Sequence, residues 1–272
     1  MNWLSQIAAL TGFNLRTVPQ RLGSSASAIF GIAGVVGVFI GVLSIAEGFR
    51  RAMTVSGKAD TVLVLRSGSD TEMSSIMNRD EARVVTDVEG IARANGMALA
   101  SSESFVIINL PKRSTGTDAN VPLRGVEPPA FDVRGDIELV EGRRFEWGKN
   151  EVMAGVGAAN EFSGLAVGSS IPVGKDEWEV VGIFSAKGGI AESEIWTDGG
   201  VLAPAYQRGN SFQAVYARLE SADHFQEFKD RLTTDPRLNV KVERQTDYYA
   251  EQSTAITGLI TTVGTLVASL MG

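Results

Sequence analysis

The sequence predicts an α+β fold in which membrane-crossing helices flank a water-exposed domain, and three observations lead to this prediction. Residues 22–46 carry no charged side chain, and neither do residues 252–272 at the other end of the chain. The roughly 200 residues between them alternate short β-type runs with helical segments, which is enough chain for a domain in water. Uncharged ends around a mixed centre therefore favour a membrane-attached α+β protein.

The N-terminal region, residues 1–21, is predicted to be an amphipathic segment on the membrane surface. Its apolar side chains recur at the spacing of one helix face. These residues are Trp3, Leu4, Ile7, Ala8 and Leu10. A helix of this kind lies along the lipid interface before the chain turns inward.

Residues 22–49 are predicted to form the first transmembrane helix. As a helix, the uncharged run of residues 22–46 would be about 37 Å long, which spans a bilayer. A phosphate-binding loop is disfavoured, because the glycines of this run follow a Ser/Ala-rich segment and no lysine occurs before Lys58. A cleaved signal peptide is the alternative, since Ser44 and Ala46 are small, but the apolar run exceeds the usual length of about 7–15 residues.

Residues 251–272 are predicted to begin a second transmembrane helix. Several threonines make this segment only weakly hydrophobic, so it would insert best alongside other helices. The alternative is a soluble one, in which this segment is an amphipathic or buried C-terminal helix of a globular domain.

Small residues recur every four positions in both predicted spans. This spacing places them on one helix face, where another helix backbone can approach closely in lipid. An equally weighted interpretation is that glycine is simply frequent in membrane helices. The predicted helix-packing residues are Ala33, Gly37, Gly41, Gly264, Ala268 and Gly272.

Two βαβ units are predicted in the central region, at residues 50–120 and 209–250. In the first, strands at residues 61–66 and 104–110 enclose a helix capped by Asn78, with Glu81 three residues later. In the second, strands at residues 211–219 and 239–245 enclose a helix capped by Ser221. The two units are expected to pair into one ferredoxin-like sheet.

Residues 121–208 are predicted to form an inserted β-rich subdomain, because short strands alternate there with glycine turns. Within it, Gly155-x-Gly157-x-x-Asn160 is close to a dinucleotide-binding fingerprint but lacks the third glycine. No acidic residue ends a partner strand about 20 residues later. A tight turn from strand to helix explains these glycines better than a nucleotide site does.

The sequence offers little for chemistry, and no catalytic, cofactor-binding or metal-binding residue is predicted. There is no cysteine, and His224 is the single histidine, so zinc clusters and thiolate catalysis are excluded. His224 is interpreted as a residue on the surface of a helix. The net charge of −7 also removes the electrostatic attraction on which nucleic-acid binding depends.

Several motifs of the central region resemble those of one family of membrane proteins. They are "IGVLSIAEGFRRAM" at the end of the first span, "LVEGRRF" at residues 139–145, "NEVMAGVGAANEFSGLAVGSSIPVG" at residues 150–174 and "EVVGIFSA" at residues 179–186. With the order of the predicted parts, they are similar to the MacB/FtsX-like ABC transporter permease family, which includes lipoprotein-releasing permeases. The resemblance covers nearly the whole chain.

This resemblance implies a non-enzymatic subunit of the cytoplasmic (inner) membrane whose large domain is periplasmic or otherwise extracytoplasmic. It implies three partners: a separate ATP-binding subunit, a second permease in a homo- or heterodimer, and the lipid bilayer. Lipoprotein release or efflux would be its role, without a cofactor and without nucleic acid. Further spans are expected in the family, so the chain is expected to stop within the second one.

The alternative function is an exported periplasmic binding or adaptor domain with a cleaved signal sequence. It would follow from the signal-peptide interpretation of the first apolar run.

Overall fold

The computed structural model describes residues 3–17 and 22–271, and the chain divides into two compact units. One unit comprises residues 1–50 and 253–272, and the other is Arg51–Gln252. The boundaries fall inside two long helices, Leu22–Ser56 and Gln245–Met271, so residues 51–56 and 245–252 of these helices belong to the second unit.

Eight helices are described within these ranges. They are α1 (Trp3–Thr17), α2 (Leu22–Ser56), α3 (Arg79–Thr86), α4 (Ala130–Arg134), α5 (Val156–Glu161), α6 (Gly199–Ala205), α7 (Phe225–Thr234) and α8 (Gln245–Met271). Short 3-10 turns lie at Glu72–Ser74, Ile190–Ser193 and Ala222–His224.

Fourteen strands are described in these ranges, and they form one ten-stranded sheet and two two-stranded sheets. The strands are β1 (Thr61–Arg66), β2 (Met77–Asn78), β3 (Arg93–Ala94), β4 (Met97–Ala98), β5 (Ala100–Pro111), β6 (Asp118–Val126), β7 (Glu138–Gly142), β8 (Glu151–Gly155), β9 (Ser170–Val173), β10 (Asp176–Ser185), β11 (Ile195–Asp198), β12 (Ser211–Phe212), β13 (Ala214–Arg218) and β14 (Val240–Arg244).

The first unit contains the predicted membrane segments. Among the described helices, only the stretch Ile29–Ser56 of α2 is long and apolar enough to cross a membrane, and its side chains are almost entirely exposed. Trp3, Leu4 and Phe13 of α1 are exposed as well. The threonine-rich α8 does not reach the same level of hydropathy, so the second span stays a prediction.

The ferredoxin-like sheet is confirmed. Its strands lie in the order β14-β1-β13-β5, and each neighbouring pair is antiparallel. The predicted capping box is present at α3, where the Asn78 side chain accepts from the Glu81 N–H and the Glu81 carboxylate accepts from the Asn78 N–H, both at 2.9 Å. Ser221 caps the 3-10 turn before α7.

The sheet does not stop at the predicted boundary near residue 121. The twelve-residue strand β5 pairs with β13 through residues 100–103 and with β6 through residues 104–111. From there the same sheet continues through β11, β8, β10 and β7, with β9 on β10. A single long strand therefore belongs to both halves of the domain.

Glycines 155 and 157 have a different explanation from the one predicted. The strand-to-helix transition is present, but Gly155 has an ordinary φ of −64°, so the turn itself does not require glycine. A Cβ on Gly155 would instead overlap the backbone carbonyl of Glu192, and one on Gly157 would lie 2.9 Å from the same oxygen. The close approach of a neighbouring segment, which the sequence does not show, requires the glycines.

Candidate functional site

A cluster of buried charged side chains lies in the middle of the sheet, with Arg124 at its centre. Its Nη1 and Nη2 donate to the two oxygens of Glu72 at 2.7 and 3.1 Å, and its Nε and Nη2 donate to Glu194 at 2.9 and 2.8 Å. Nη1 also donates to Glu103 Oε2 at 2.9 Å. All five N–H groups of one guanidinium are therefore used on three carboxylates.

Strand pairing explains why these residues meet. Arg124 lies opposite Phe105 across the β5–β6 pair, and Trp196 lies beside Arg124 across the parallel β6–β11 pair. Residues two apart on a strand share a face, so Glu103 and Phe105 point to the same side as Arg124. Tyr216, which pairs with Ser101, is on this side too. The cluster thus occupies one face of the sheet.

Arg134 extends the cluster from α4. Its Nη2 donates to Glu103 Oε2 at 2.7 Å, and its guanidinium lies 3.7 Å from the centre of the Tyr216 ring. Such stacking of a planar cation on an aromatic face stabilises a guanidinium away from water. The Trp196 Nε1–H donates to Glu194 at 2.8 Å, which completes the ring of contacts around the two arginines.

The carboxylates of the cluster do not share one electrostatic environment. Burial raises the pKa of Glu194 on its own, but the charge of Arg124 and its hydrogen bonds outweigh burial and hold that pKa below its ordinary value. For Glu103 burial is the larger effect, and the charges of Arg134 and Arg124 do not cancel it, so its pKa is raised.

Residues at the end of α2 and the start of α8 form what we call the neck: residues 55–58 and 245–249, together with residues 134–136. Lys58 pairs with Asp136 at 2.7 Å and donates to the carbonyl of Arg134, while its own N–H donates to Gln245 Oε1 at 3.2 Å. Hydrogen bonding to Lys58, with a further contribution from Lys187, lowers the pKa of Asp136.

The neck also contacts two loops of the domain. Ser56 Oγ accepts from the Ile190 N–H at 2.7 Å. On the α8 side, Tyr248 Oη accepts from the Glu72 N–H at 3.4 Å. Just beyond the neck, Gln252 donates to the carbonyl of Asp70 at 2.8 Å. A cavity of about 30 Å³ lies beside Ser56, and Lys58, Arg134, Asp136 and Tyr249 are also part of its lining. The neck therefore adjoins the buried charge cluster through Arg134 and Glu72.

The predicted helix-packing residues fall in different surroundings. A Cβ on Gly264 would lie 2.6 Å from Val42 Cγ1, so α8 approaches α2 closely at that point. Within the described part of the chain, nothing lies within 4 Å of a Cβ built on Gly37 or Gly41. Ala33 is exposed, the surroundings of Ala268 are not described, and Gly272 lies outside the described residues. Their packing role stays a prediction.

The five charged residues of the cluster were not predicted from the sequence. Glu103 and Arg124 lie in the buried stretches of their strands, where their near neighbours are small or apolar. This was the available signal, because an ionisable residue in a buried strand needs a partner of opposite charge. The sequence does not reveal that partner, since the cluster joins residues as far apart as 72 and 194.

A second cavity, of about 400 Å³, lies beside the predicted surface histidine, between the end of α3 and α7. Its acidic groups are partly paired, since Arg231 binds Glu89 at 2.5 Å and Glu227 at 2.8 Å. His224 is exposed at the start of α7. Among the described residues no group of three or more His, Asp or Glu side chains could hold a metal ion.

Comparison with known protein families decides the family. The model of the MacB-like periplasmic core domain matches residues 25–235, which is most of the chain and includes the charge cluster. The chain belongs to this family. The family is that of MacB-like ABC transporter permeases, so the protein is a component of a transporter permease rather than an enzyme itself.

The solved structure of a MacB periplasmic region shares the fold of this MacB-like domain. The periplasmic region of MacB from Actinobacillus actinomycetemcomitans matches with a TM-score of 0.53 at 12% identity, over 72% of this chain and 94% of that one. The extracellular domain of the noncanonic ABC-type transporter YknZ from Gram-positive bacteria matches with a TM-score of 0.48 at 18% identity, over 67% of this chain and 99% of that one. No curated protein sequence matches the chain.

The family match and the apolar helix α2 together indicate a membrane protein with an extracytoplasmic domain. The sequence-based assignments of family and fold class are therefore confirmed.

Proposed function

We propose that this MacB-like protein is a permease subunit that couples ATP hydrolysis by a separate ATP-binding subunit to movement of a substrate at the outer face of the cytoplasmic membrane. The observation that carries the proposal is the family match, which begins inside the apolar helix α2 and continues through the domain. The sequence itself has no Gly-x-x-x-x-Gly-Lys-Ser/Thr loop for ATP. A second permease would complete the transporter as a homo- or heterodimer.

The neck supplies a physical basis for coupling in this proposal. Lys58 is the second residue after α2 and contacts both Asp136 and the backbone of Arg134. Arg134 in turn binds Glu103 in the sheet. A displacement of residues 51–58 would therefore act on the buried charge cluster through short polar contacts. Coupling of this kind needs two arrangements of the domain that the helix end favours differently.

Association with an ATPase is tested by co-expressing the full-length gene with the ATPase gene encoded beside it and purifying the chain in detergent. We expect the ATPase to co-purify and its hydrolysis rate to change when the permease is present. Recovery of a detergent-free soluble chain that has lost residues 1–46, as shown by intact mass, would instead establish an exported binding or adaptor domain.

Coupling through the neck is tested in the same complex with Lys58→Ala. We expect the ATPase to remain bound. Its hydrolysis rate should respond less to the presence of the permease, because the contacts of Lys58 to Asp136 and Arg134 are removed. Lys149→Ala is the matched control, since Lys149 forms an ion pair with Glu146 of the same 2.7 Å length in the loop before β8. Equal effects of the two substitutions would contradict a coupling role for the neck.

A further inference from the structure

The buried charge cluster contains an odd number of ionisable groups. It holds three carboxylates, Glu72, Glu103 and Glu194, and two guanidiniums, Arg124 and Arg134, and each residue is at least nine-tenths buried. If all five groups were ionised, three negative charges would face two positive ones. An uncompensated charge in a protein interior is costly, and a buried group commonly neutralises by changing its protonation state instead.

The hydrogen bonds show which carboxylate has an oxygen without a donor. Both oxygens of Glu72 and both oxygens of Glu194 accept from Arg124. At Glu103, in contrast, Arg124 and Arg134 both donate to Oε2, and Oε1 has no hydrogen-bond partner among the described residues. Glu103 is fully buried, so water does not reach Oε1 from the surface either.

Several elements contribute charged or titratable groups to the surroundings of Glu103 and its two arginine partners. Glu72 comes from the 3-10 turn, Arg124 from β6, Arg134 from α4, Glu194 from the residue before β11, Tyr216 from β13, and Tyr248 and Tyr249 from α8. The Tyr216 hydroxyl is buried and, like Glu103 Oε1, has no partner within the described residues. Beyond Arg134 lie Lys58 and Asp136, which pair with each other.

We propose that Glu103 is protonated in the folded domain at neutral pH, with the proton on Oε1, and that this single proton makes the buried charge cluster electrically neutral. Oε2 then remains the acceptor for both arginines, while Glu72 and Glu194 stay ionised. The proton is taken up from solvent as the domain folds, because the unfolded side chain is ionised at this pH.

The direction of the pKa shifts agrees with the geometry. Burial raises the pKa of Glu103, whereas Arg124 holds the pKa of Glu194 below its ordinary value despite burial. A raised pKa means that the contribution of Glu103 to stability is fully present below its unfolded pKa and is lost as the pH rises through its folded pKa. The cluster that holds the two halves of the sheet and the neck together is thus expected to loosen when this proton leaves.

The proton is detected by infrared spectroscopy of the full-length chain in detergent, because a protonated carboxyl group has a carbonyl stretch distinct from that of a carboxylate. We expect this band at neutral pH in the wild type and its loss in Glu103→Gln. Glu127→Gln is the matched control, since Glu127 is another carboxyl group with a raised pKa near β5, outside the cluster. Absence of the band from the wild type, or its loss only in Glu127→Gln, would overturn the proposal.

A pH titration of the wild-type chain, followed by the infrared band, tests the proposal without relying on a variant that folds poorly. The band assigned to Glu103 should disappear as the pH rises, and the midpoint of unfolding should fall over the same pH interval. A band or an unfolding midpoint that does not change between neutral and alkaline pH would contradict a releasable proton.

Comparison of two isosteric variants provides an independent measurement at neutral pH. Glu103→Gln replaces a neutral group by a neutral one, so the unfolding equilibrium constant should change by about tenfold at most. Glu194→Gln removes an ionised partner of Arg124, so the unfolding equilibrium constant should rise by about a hundredfold or more. The reverse ranking of the two variants would show that Glu103 is the ionised member and would reject the proposal.

Discussion

Arg124 shows how one buried side chain can join three distant segments at the residue scale. Its five N–H groups bind carboxylates from a 3-10 turn, from β5 and from the residue before β11. A buried ion cluster is weak evidence for high stability, because removing charges from water costs nearly as much as the ion pairs return. Breaking such a cluster is costly, however, because the remaining charges stay buried.

Arg124→Met is therefore expected to destabilise the domain by about 3–5 kcal/mol, since it leaves carboxylates buried without their main partner. Denaturant unfolding followed by tryptophan fluorescence measures this, because Trp178 and Trp196 are fully buried. Arg231→Met serves as the control, as Arg231 forms only exposed ion pairs, and its effect should be small. Equal losses for both variants would contradict the central role of Arg124.

The pH dependence at acid pH is a separate prediction. Because the pKa of Glu194 is lowered in the folded state, its contribution is present above its unfolded pKa and is lost as the pH falls through the folded value. The midpoint of unfolding should decline below about pH 4.5 in the wild type. Glu194→Gln should be less stable than the wild type at neutral pH, but its midpoint of unfolding should fall less on acidification. A parallel fall of the midpoint in both proteins would contradict the lowered pKa of Glu194.

At the element scale, close backbone approach is a constraint on several connections of the sheet. The 3-10 turn at Ile190–Ser193 crosses the β8–α5 junction, and the carbonyl of Glu192 occupies the space where a side chain on Gly155 would be. Gly155→Ala should cost about 1–3 kcal/mol through overpacking. Gly48→Ala is the control, because no described atom lies within 4 Å of a Cβ built on Gly48. No loss of unfolding free energy is therefore expected for this variant in a denaturant titration.

The contact between α8 and α2 gives the second prediction at this scale. Gly264→Leu should force the two helices apart, because even a Cβ at this position would lie 2.6 Å from Val42. Gly258→Leu is the matched control in the same helix, since its position is open among the described residues. Thermal unfolding of the full chain in lipid nanodiscs should show a lower midpoint only for Gly264→Leu, and similar midpoints would remove Gly264 from the packing face.

At the scale of the whole molecule, the extracytoplasmic position of the domain can be probed with a single introduced cysteine. The chain has no native cysteine, and Glu138 on β7 is well exposed. Glu138→Cys should react with a membrane-impermeant maleimide in intact spheroplasts as fully as after lysis. Labelling that requires lysis would place the domain on the cytoplasmic side.

The sequence by itself determined the fold class, the family and several of the strands and helix starts. Residues 61–66 and 240–244 were recognisable as strands, and Asn78 and Glu81 as a helix start, because these signals depend on alternation and capping between near neighbours. The family followed from motifs whose spacing is also local. Hydrophobic periodicity, helix caps and turn residues can be recognised from the sequence because they involve residues that are close together along the chain.

Only the tertiary structure decided what holds the domain together. The sharing of β5 by both halves of the sheet, the crossing of Glu192 over Gly155 and the meeting of Glu72, Arg124 and Glu194 each depend on residues tens of positions apart. Burial and strand register set these contacts, and neither has a local signature in the sequence. Charge compensation in the interior could therefore be recognised only once the strands were placed side by side.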